Sequence, residues 1–309
     1  MIESIKLAIL GGDQRQISMA RELARRGYEV SVWGLGDGAS LRPSSVFADW
    51  REAIADVAAI ILPLPVTEDG VRIRTPLHGG EPLRWQTLLE SVSPHVKLLV
   101  GKAAEGILRL AGERGISVAD YFLNEGLQLK NAMVTAEAAI SLAMTRLPVT
   151  LDGCRTAILG YGRIGKFLAE RLVALGASVT VYARREDALT EARLHHCRGR
   201  LLWSKEQDKC ALAEELSPYR VIFNTVPCRL LERDELCHVP KSCLLMDLAS
   251  LPGGIDFKAA EELGLAALWA TALPGKYAPE SAGQILGETV DEMLRDFLGG
   301  MQKQYGKDE

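Results

Sequence analysis

Arg155-Thr156-Ala157-Ile158-Leu159-Gly160-Tyr161-Gly162-Arg163-Ile164-Gly165 opens the second half of the chain and decides its fold class. The first five residues read as a short, largely apolar strand, and the glycines after them as a turn. An amphipathic helix over 164–175 follows and stops at Gly176, a frequent helix end. Ser178-Val179-Thr180-Val181-Tyr182 then reads as a second strand. Strand, turn, helix and strand make a βαβ unit, whose strands run parallel. In that setting the G-x-G-x-x-G spacing means more than it does alone. Gly160 permits a tight turn, Gly162 lets backbone approach a pyrophosphate, and Gly165 lets the helix lie close to the sheet. The helix N-terminus offers free N–H groups to phosphates. Gly160, Tyr161, Gly162, Arg163, Ile164 and Gly165 are therefore candidates for dinucleotide binding. The bland alternative is a glycine-rich turn.

The first half repeats the order. An apolar strand over 5–10 ends in Gly11-Gly12, a helix over 16–26 ends at Gly27, and Glu29-Val30-Ser31-Val32-Trp33 reads as a strand. Further strands are expected at 57–62, 97–100 and 117–119, then at 200–203, 220–224, 243–247 and 266–268. The fold class is therefore α/β, with two Rossmann-like, doubly wound parallel-sheet domains; the order of elements resembles that of formate and glycerate dehydrogenases, and the same arrangement is expected. The expected division is 1–130 for a substrate domain and 131–280 for a nucleotide domain. A long helix over 124–147 should connect them and border a cleft between them. A last helix over 281–302 should return to the first domain.

Composition narrows the function. Of 309 residues, 48% are hydrophobic and 25% charged, which suits a globular chain with a real core. A net charge of -4, without any long Lys/Arg block, argues against a nucleic-acid partner. The apolar run 57–64 is too short for a bilayer and contains Pro63. The first residues lack a signal-peptide pattern. Six cysteines include no C-x-x-C pair, so neither a metal site nor a disulfide framework is expected, and a reducing cytosol is.

The end of the strand after the glycine motif bears on cofactor choice. NAD-binding domains usually place a carboxylate there for the ribose 2′-hydroxyl. This chain has Ala183-Arg184-Arg185. Arginine can grip a 2′-phosphate through charge-assisted bonds, so NADP is the expected cofactor. Otherwise Arg184 and Arg185 are solvated surface charges. Glu186 and Asp187 read as the start of the next helix. Two later strand ends, Asn224-Thr225-Val226-Pro227 and Leu248-Ala249-Ser250, should line the nicotinamide pocket.

At the matching point of the first domain stands Gly11-Gly12-Asp13-Gln14-Arg15. It lacks the dinucleotide spacing, but Arg15 at a helix opening could anchor a substrate carboxylate; its alternative is an exposed helix charge. Taken with Asn131-Ala132-x-x-Thr135-Ala136-Glu137, the glycine motif, 224–227 and Pro274-Gly275-Lys276-x-Ala278-Pro279, this turn makes the chain resemble the A subunit of dipicolinate synthase over essentially its whole length. The resemblance implies dipicolinate formation from a hydroxy-tetrahydrodipicolinate-derived dicarboxylate, a branch of the lysine pathway. It also implies NADP, a flavoprotein-like partner (the B subunit), and the cytoplasm of a sporulating mother cell. A homo-oligomer is compatible with the fold. Arg15, Asn131 and Thr135 become candidates for the substrate. Glu137 and Lys276, the latter in a glycine–proline turn, become candidates for catalysis. The rival readings are a D-2-hydroxyacid dehydrogenase, whose arginine and histidine are missing at the corresponding turns, and a non-catalytic NADP-binding subunit.

Overall fold

A computed structural model describes residues 4–36, 46–202 and 215–305. Trp203, expected to end a strand, and Cys210 lie outside them. The chain divides into two compact units, Met1–Asn131 with Ala278–Glu309, and Ala132–Tyr277.

The first unit holds β1 (Lys6–Leu10), β2 (Glu29–Trp33), β3 (Ala59–Ile61), β4 (Lys97–Val100) and β5 (Val118–Asp120). They form one parallel sheet in the order β2-β1-β3-β4-β5. Helices α1 (Gln14–Arg25), α2 (Trp50–Ala53), α3 (Trp85–Ser91) and α4 (Glu105–Glu113) make or flank the crossovers. Side chains alternate across the strands, so each face has its own core. Ala8, Leu10, Ile60, Leu98 and Val100 pack with Leu88 and Ile107 on one face. Leu7, Ile9, Ile61 and Leu99 pack on the other with Met19 and Leu23 of α1 and with Leu286, Val290 and Leu294.

Those last three belong to the C-terminal helix, Pro279–Tyr305, which lies along α1. Two glycines bring the helices together. A Cβ on Gly283 would collide with the Arg15 carbonyl and Ser18, and one on Gly287 would stand 2.9 Å from Glu22 Cγ. An ion network seals the contact. Arg26 donates to Glu22 and to Asp291 at 2.6 Å each, and Tyr28 and Arg295 also donate to Asp291. Burial alone would raise the Asp291 pKa, but these hydrogen bonds outweigh it and hold the carboxyl below its ordinary value.

α5 (Glu125–Arg146) begins in the first unit and continues into the second. There β6 (Arg155–Leu159), β7 (Ser178–Ala183), β8 (Arg198–Leu201), β9 (Val221–Asn224), β10 (Leu244–Asp247) and β11 (Ala266–Trp269) form a parallel sheet ordered β11-β10-β9-β6-β7-β8. The chain steps outward from β6, returns to its other side at β9 and steps outward again. That is a doubly wound Rossmann sheet, with its reversal between β6 and β9. α6 (Arg163–Ala174) and α7 (Glu186–Leu194) are the first two crossovers.

Three local expectations need correction. α1 begins two residues before the expected 16, because Asp13 caps it. The strand expected at 200–203 starts at Arg198; it is a polar edge strand without the apolar run that marks its neighbours. Lys276 stands in a short helix, Leu273–Tyr277, not in a turn, because Pro274 falls in the first turn, where no N–H is needed. No described helix is long and apolar enough to cross a membrane.

Gly283→Ala should lower stability by about 1–3 kcal/mol, since its methyl must displace backbone. Gly112→Ala on α4, where a Cβ meets nothing within 4 Å, should leave stability equal or raise it by up to about 1 kcal/mol. Urea midpoints of the two variants check both.

Candidate functional site

At the β6–α6 junction, Gly160 takes φ +97°, and a Cβ there would strike Thr225 Oγ1 and approach Val226 Cγ2 to 2.8 Å. A Cβ on Gly165 would run into the Gly160 carbonyl. These two glycines close the turn on the next strand end and the helix on the turn. Gly162 differs. It is the N-cap of α6, has no side chain to cap the helix, and nothing lies within 4 Å of where its Cβ would be. The result is an open cradle of backbone N–H groups at the positive end of a helix, suited to a phosphate anion. Arg163 and Ile164 start the helix. Tyr161 is buried beside the junction, and burial pushes its hydroxyl pKa up to about 12.

β7 ends at buried Ala183, followed by Arg184 and Arg185. Arg185 precedes α7 and grips Asp187 through two bonds, 3.0 and 2.7 Å. Arg184 is exposed and has no ion-pair partner among the described residues. The two arginines that looked alike in the sequence are thus in different situations.

The turns after β9 and β10 are locked from within. Asn224 is fully buried; its Nδ2 donates to the Val226 carbonyl and, at 2.8 Å, to Asp247 Oδ1. Asp247, equally buried, also accepts from the N–H groups of Ala249, Gly254 and Ile255. A buried carboxylate with this many donors is compensated without a cation. Asn224 and Asp247 therefore shape both turns. Thr225 Oγ1 donates to the Leu159 carbonyl beside Gly160. Pro227 and Ser250 are exposed, Val226 is half-buried, and Leu248 and Ala249 are buried.

In the first unit, Gly11 and Gly12 turn the chain with φ +72° and +111°. Asp13 then caps α1, accepting from Arg15 N, while its own N–H donates to Gln16 Oε1. Arg15 is buried. Its Nε and Nη2 each donate to Asp13 at 2.9 Å, and Nη2 also reaches the Leu64 carbonyl at 2.6 Å. Arg74, from the loop after β3, donates Nη1 to Asp13 Oδ2 at 2.7 Å and Nε to Glu68 at 2.6 Å. Burial opposes charge on Asp13, but Arg15 and Arg74 prevail and bring its pKa down to about 2. Sequence reasoning missed Arg74. Nothing in the letters Val71-Arg72-Ile73-Arg74 separates it from exposed Arg72; the bonds that join Arg74 to Asp13 and Gly12 link residues far apart in the chain.

The structure brings Arg15 and Asn131 together in one recess, with Leu64 and Leu127. Thr135 is buried and lies with the second unit. Glu137 is exposed on the same unit, bonded to Arg171 at 3.2 Å. Lys276 is exposed.

Comparison with known proteins adds lineage to this geometry. A family model for the N-terminal domain of the A subunit of dipicolinate synthase matches residues 6–122. The chain is 30% identical to the dipicolinate synthase A subunit of Bacillus subtilis (strain 168) over 96% of its own length and 98% of that protein. The solved structure of the dipicolinate synthase A subunit from Bacillus halodurans superposes with TM-score 0.82 at 28% identity, covering 95% of this chain and 99% of that one. A transhydrogenase from Sinorhizobium meliloti shares the fold at TM-score 0.69 and 13% identity, covering 94% of each chain. Across nearly its full length, then, the chain belongs to the family of dipicolinate synthase A subunits.

Proposed function

We propose that the chain is an NADP-dependent oxidoreductase that forms dipicolinate within a two-part synthase. The observation that carries this reading is the open, uncapped start of α6 at Gly162, next to a strand end that offers Arg184 in place of a carboxylate. On this reading Gly160 to Gly165 hold the pyrophosphate and Arg184 holds the 2′-phosphate. Arg185, engaged with Asp187, is a lesser contributor. The turns at Thr225–Pro227 and Leu248–Ser250 flank the nicotinamide, with Asn224 keeping them in register. Bound NADP would supply the hydride acceptor.

The substrate class is a cyclic dicarboxylate derived from hydroxy-tetrahydrodipicolinate. Loss of water from the hydroxylated ring gives a dihydropyridine. Loss of one hydride and one proton then gives the aromatic dicarboxylate, and aromaticity drives the oxidation. The chain's own tasks are to anchor carboxylates, orient the ring and accept a proton. Arg15 and Asn131, which line one narrow recess of the first unit, are the groups to test as carboxylate contacts; Arg15 already serves Asp13 and the Leu64 carbonyl. Thr135, Glu137 and Lys276 are the remaining groups to test. Because Glu137 is exposed and paired with Arg171, a second reading stands beside the first: an NADP-binding protein whose acid–base chemistry resides in its partner. The relative from Bacillus subtilis is one of the subunits of a synthase, which supports such a partner; we propose a flavoprotein-like B subunit in a sporulating cell.

Freshly generated hydroxy-tetrahydrodipicolinate and NADP⁺ should give NADPH and dipicolinate with this chain alone. Cofactor binding without turnover, rescued by the B subunit, would instead establish the second reading. Fluorescence titration should show preference for NADPH over NADH. Arg184→Ala should weaken NADPH binding roughly 10- to 100-fold, the worth of a charge-assisted contact, and leave NADH binding unchanged. Arg185→Ala should cost less. Equal affinity of the unmodified chain for both cofactors would refute the assignment.

A further inference from the structure

Asp13, Arg15 and Arg74 form a largely buried trio with a net charge of +1 while Asp13 is ionised, and the low Asp13 pKa keeps it so. The fourth charge is Glu68. Its side chain is 69% exposed, against 17% for the Arg74 it touches. We propose that Arg74 is a substrate-carboxylate ligand, and that Glu68 occupies it as an internal carboxylate which the substrate displaces. The proposal deepens the reading given above and rests on it.

Three observations carry the site. The first is position. In the sheet order β2-β1-β3 the winding reverses between β1 and β3, and ligands of open parallel sheets bind beyond the carboxyl ends at such a reversal. Asp13 follows β1, and Arg74 and Glu68 come from the loop after β3. The second is construction. Arg15 ties Asp13 to the Leu64 carbonyl, Gly12 N donates to the Arg74 carbonyl, and Arg74 N donates to the Val66 carbonyl. Arg74 is thus fixed at its backbone and at Nη1, while its Nε edge faces a carboxylate that solvent largely surrounds. An ion pair with so exposed a partner contributes little, so a carboxylate arriving from solution can take that place at small cost. The third is an unmet donor. Gln16 is fully buried; its Oε1 serves Asp13 N, and its Nε2 has no acceptor among the described residues. The same turn therefore keeps one buried donor in reserve, closed to solvent, which a carboxylate would meet only if the turn opened. Arginine suits this task because a guanidinium can meet both oxygens of a carboxylate side by side.

The test is calorimetric titration of dipicolinate into the full chain saturated with NADPH. Arg74→Gln should weaken dipicolinate binding about tenfold or more. Glu68→Gln, which removes the internal competitor at an exposed position, should tighten it severalfold. NADPH affinity should be unchanged in both variants. Unaltered dipicolinate affinity in Arg74→Gln overturns the assignment. If Arg74→Gln loses NADPH binding and melts early, Glu68→Gln decides alone, and the absence of any gain overturns the displacement. If the unmodified chain binds NADPH but no dipicolinate, the substrate reading has failed, and this site fails with it.

Discussion

Parallel strands cannot be joined by a tight turn, and the rest of this structure follows from that constraint. Every described strand pairing in both sheets is parallel, so each connection must travel back along the sheet before the next strand begins. The crossovers cover both faces, which makes central strands such as β1 and β6 apolar almost throughout. The same geometry gathers the carboxyl ends of the strands on one edge of each sheet, where helix N-termini bring unpaired N–H groups. Chemistry collects at that edge because the backbone leaves it polar. In the second unit the helix start at Gly162 is left open, whereas in the first the equivalent start is closed by Asp13 and its two arginines.

Three carboxylates show how the chain manages charge away from water. Asp247 relies on backbone N–H groups and one amide. Asp291 relies on two arginines and a tyrosine, and Asp13 on two arginines and a helix start. Removing a partner from such a site is expensive, on the order of 3–5 kcal/mol for a buried ion pair. The arrangements differ in what they permit. A carboxylate held by backbone fixes the loop that supplies the donors, as Asp247 does for the turn after β10. One held by side chains can share those cations with another anion, provided the fold survives the exchange.

The sequence made the central strands legible because strands buried on both faces appear as unbroken apolar runs ending in glycine. The crowding at the glycine motif matches its spacing too: a Cβ would collide at Gly160 and Gly165 and meet nothing at Gly162. Less was legible where partners lie far apart in the chain. Arg15 meets a carbonyl 49 residues away, and Arg74 meets a carboxylate 61 residues away. No local pattern announces either. Asn224 stands in a motif that reads as a ligand contact, yet its amide faces inward to Asp247, 23 residues on. Arg184 and Arg185 are indistinguishable as letters, and only the bond to Asp187 separates them. Edge strand β8 was misplaced because exposed strands carry no apolar run.

The C-terminal helix completes the core of a unit whose other strands and helices are made first. Leu286, Val290 and Leu294 share a cluster with Leu7, Ile9 and Met19, and the whole second unit is translated between them. At the usual pace of synthesis that interval is on the order of ten seconds. During it α1 must wait on the ribosome with Glu22 and Arg26 lacking Asp291, and with Met19 and Leu23 uncovered on one flank. The second unit is contiguous and can finish first. Order of completion therefore runs against order of birth: the unit that emerges earliest receives its last helix only after the second unit has been made.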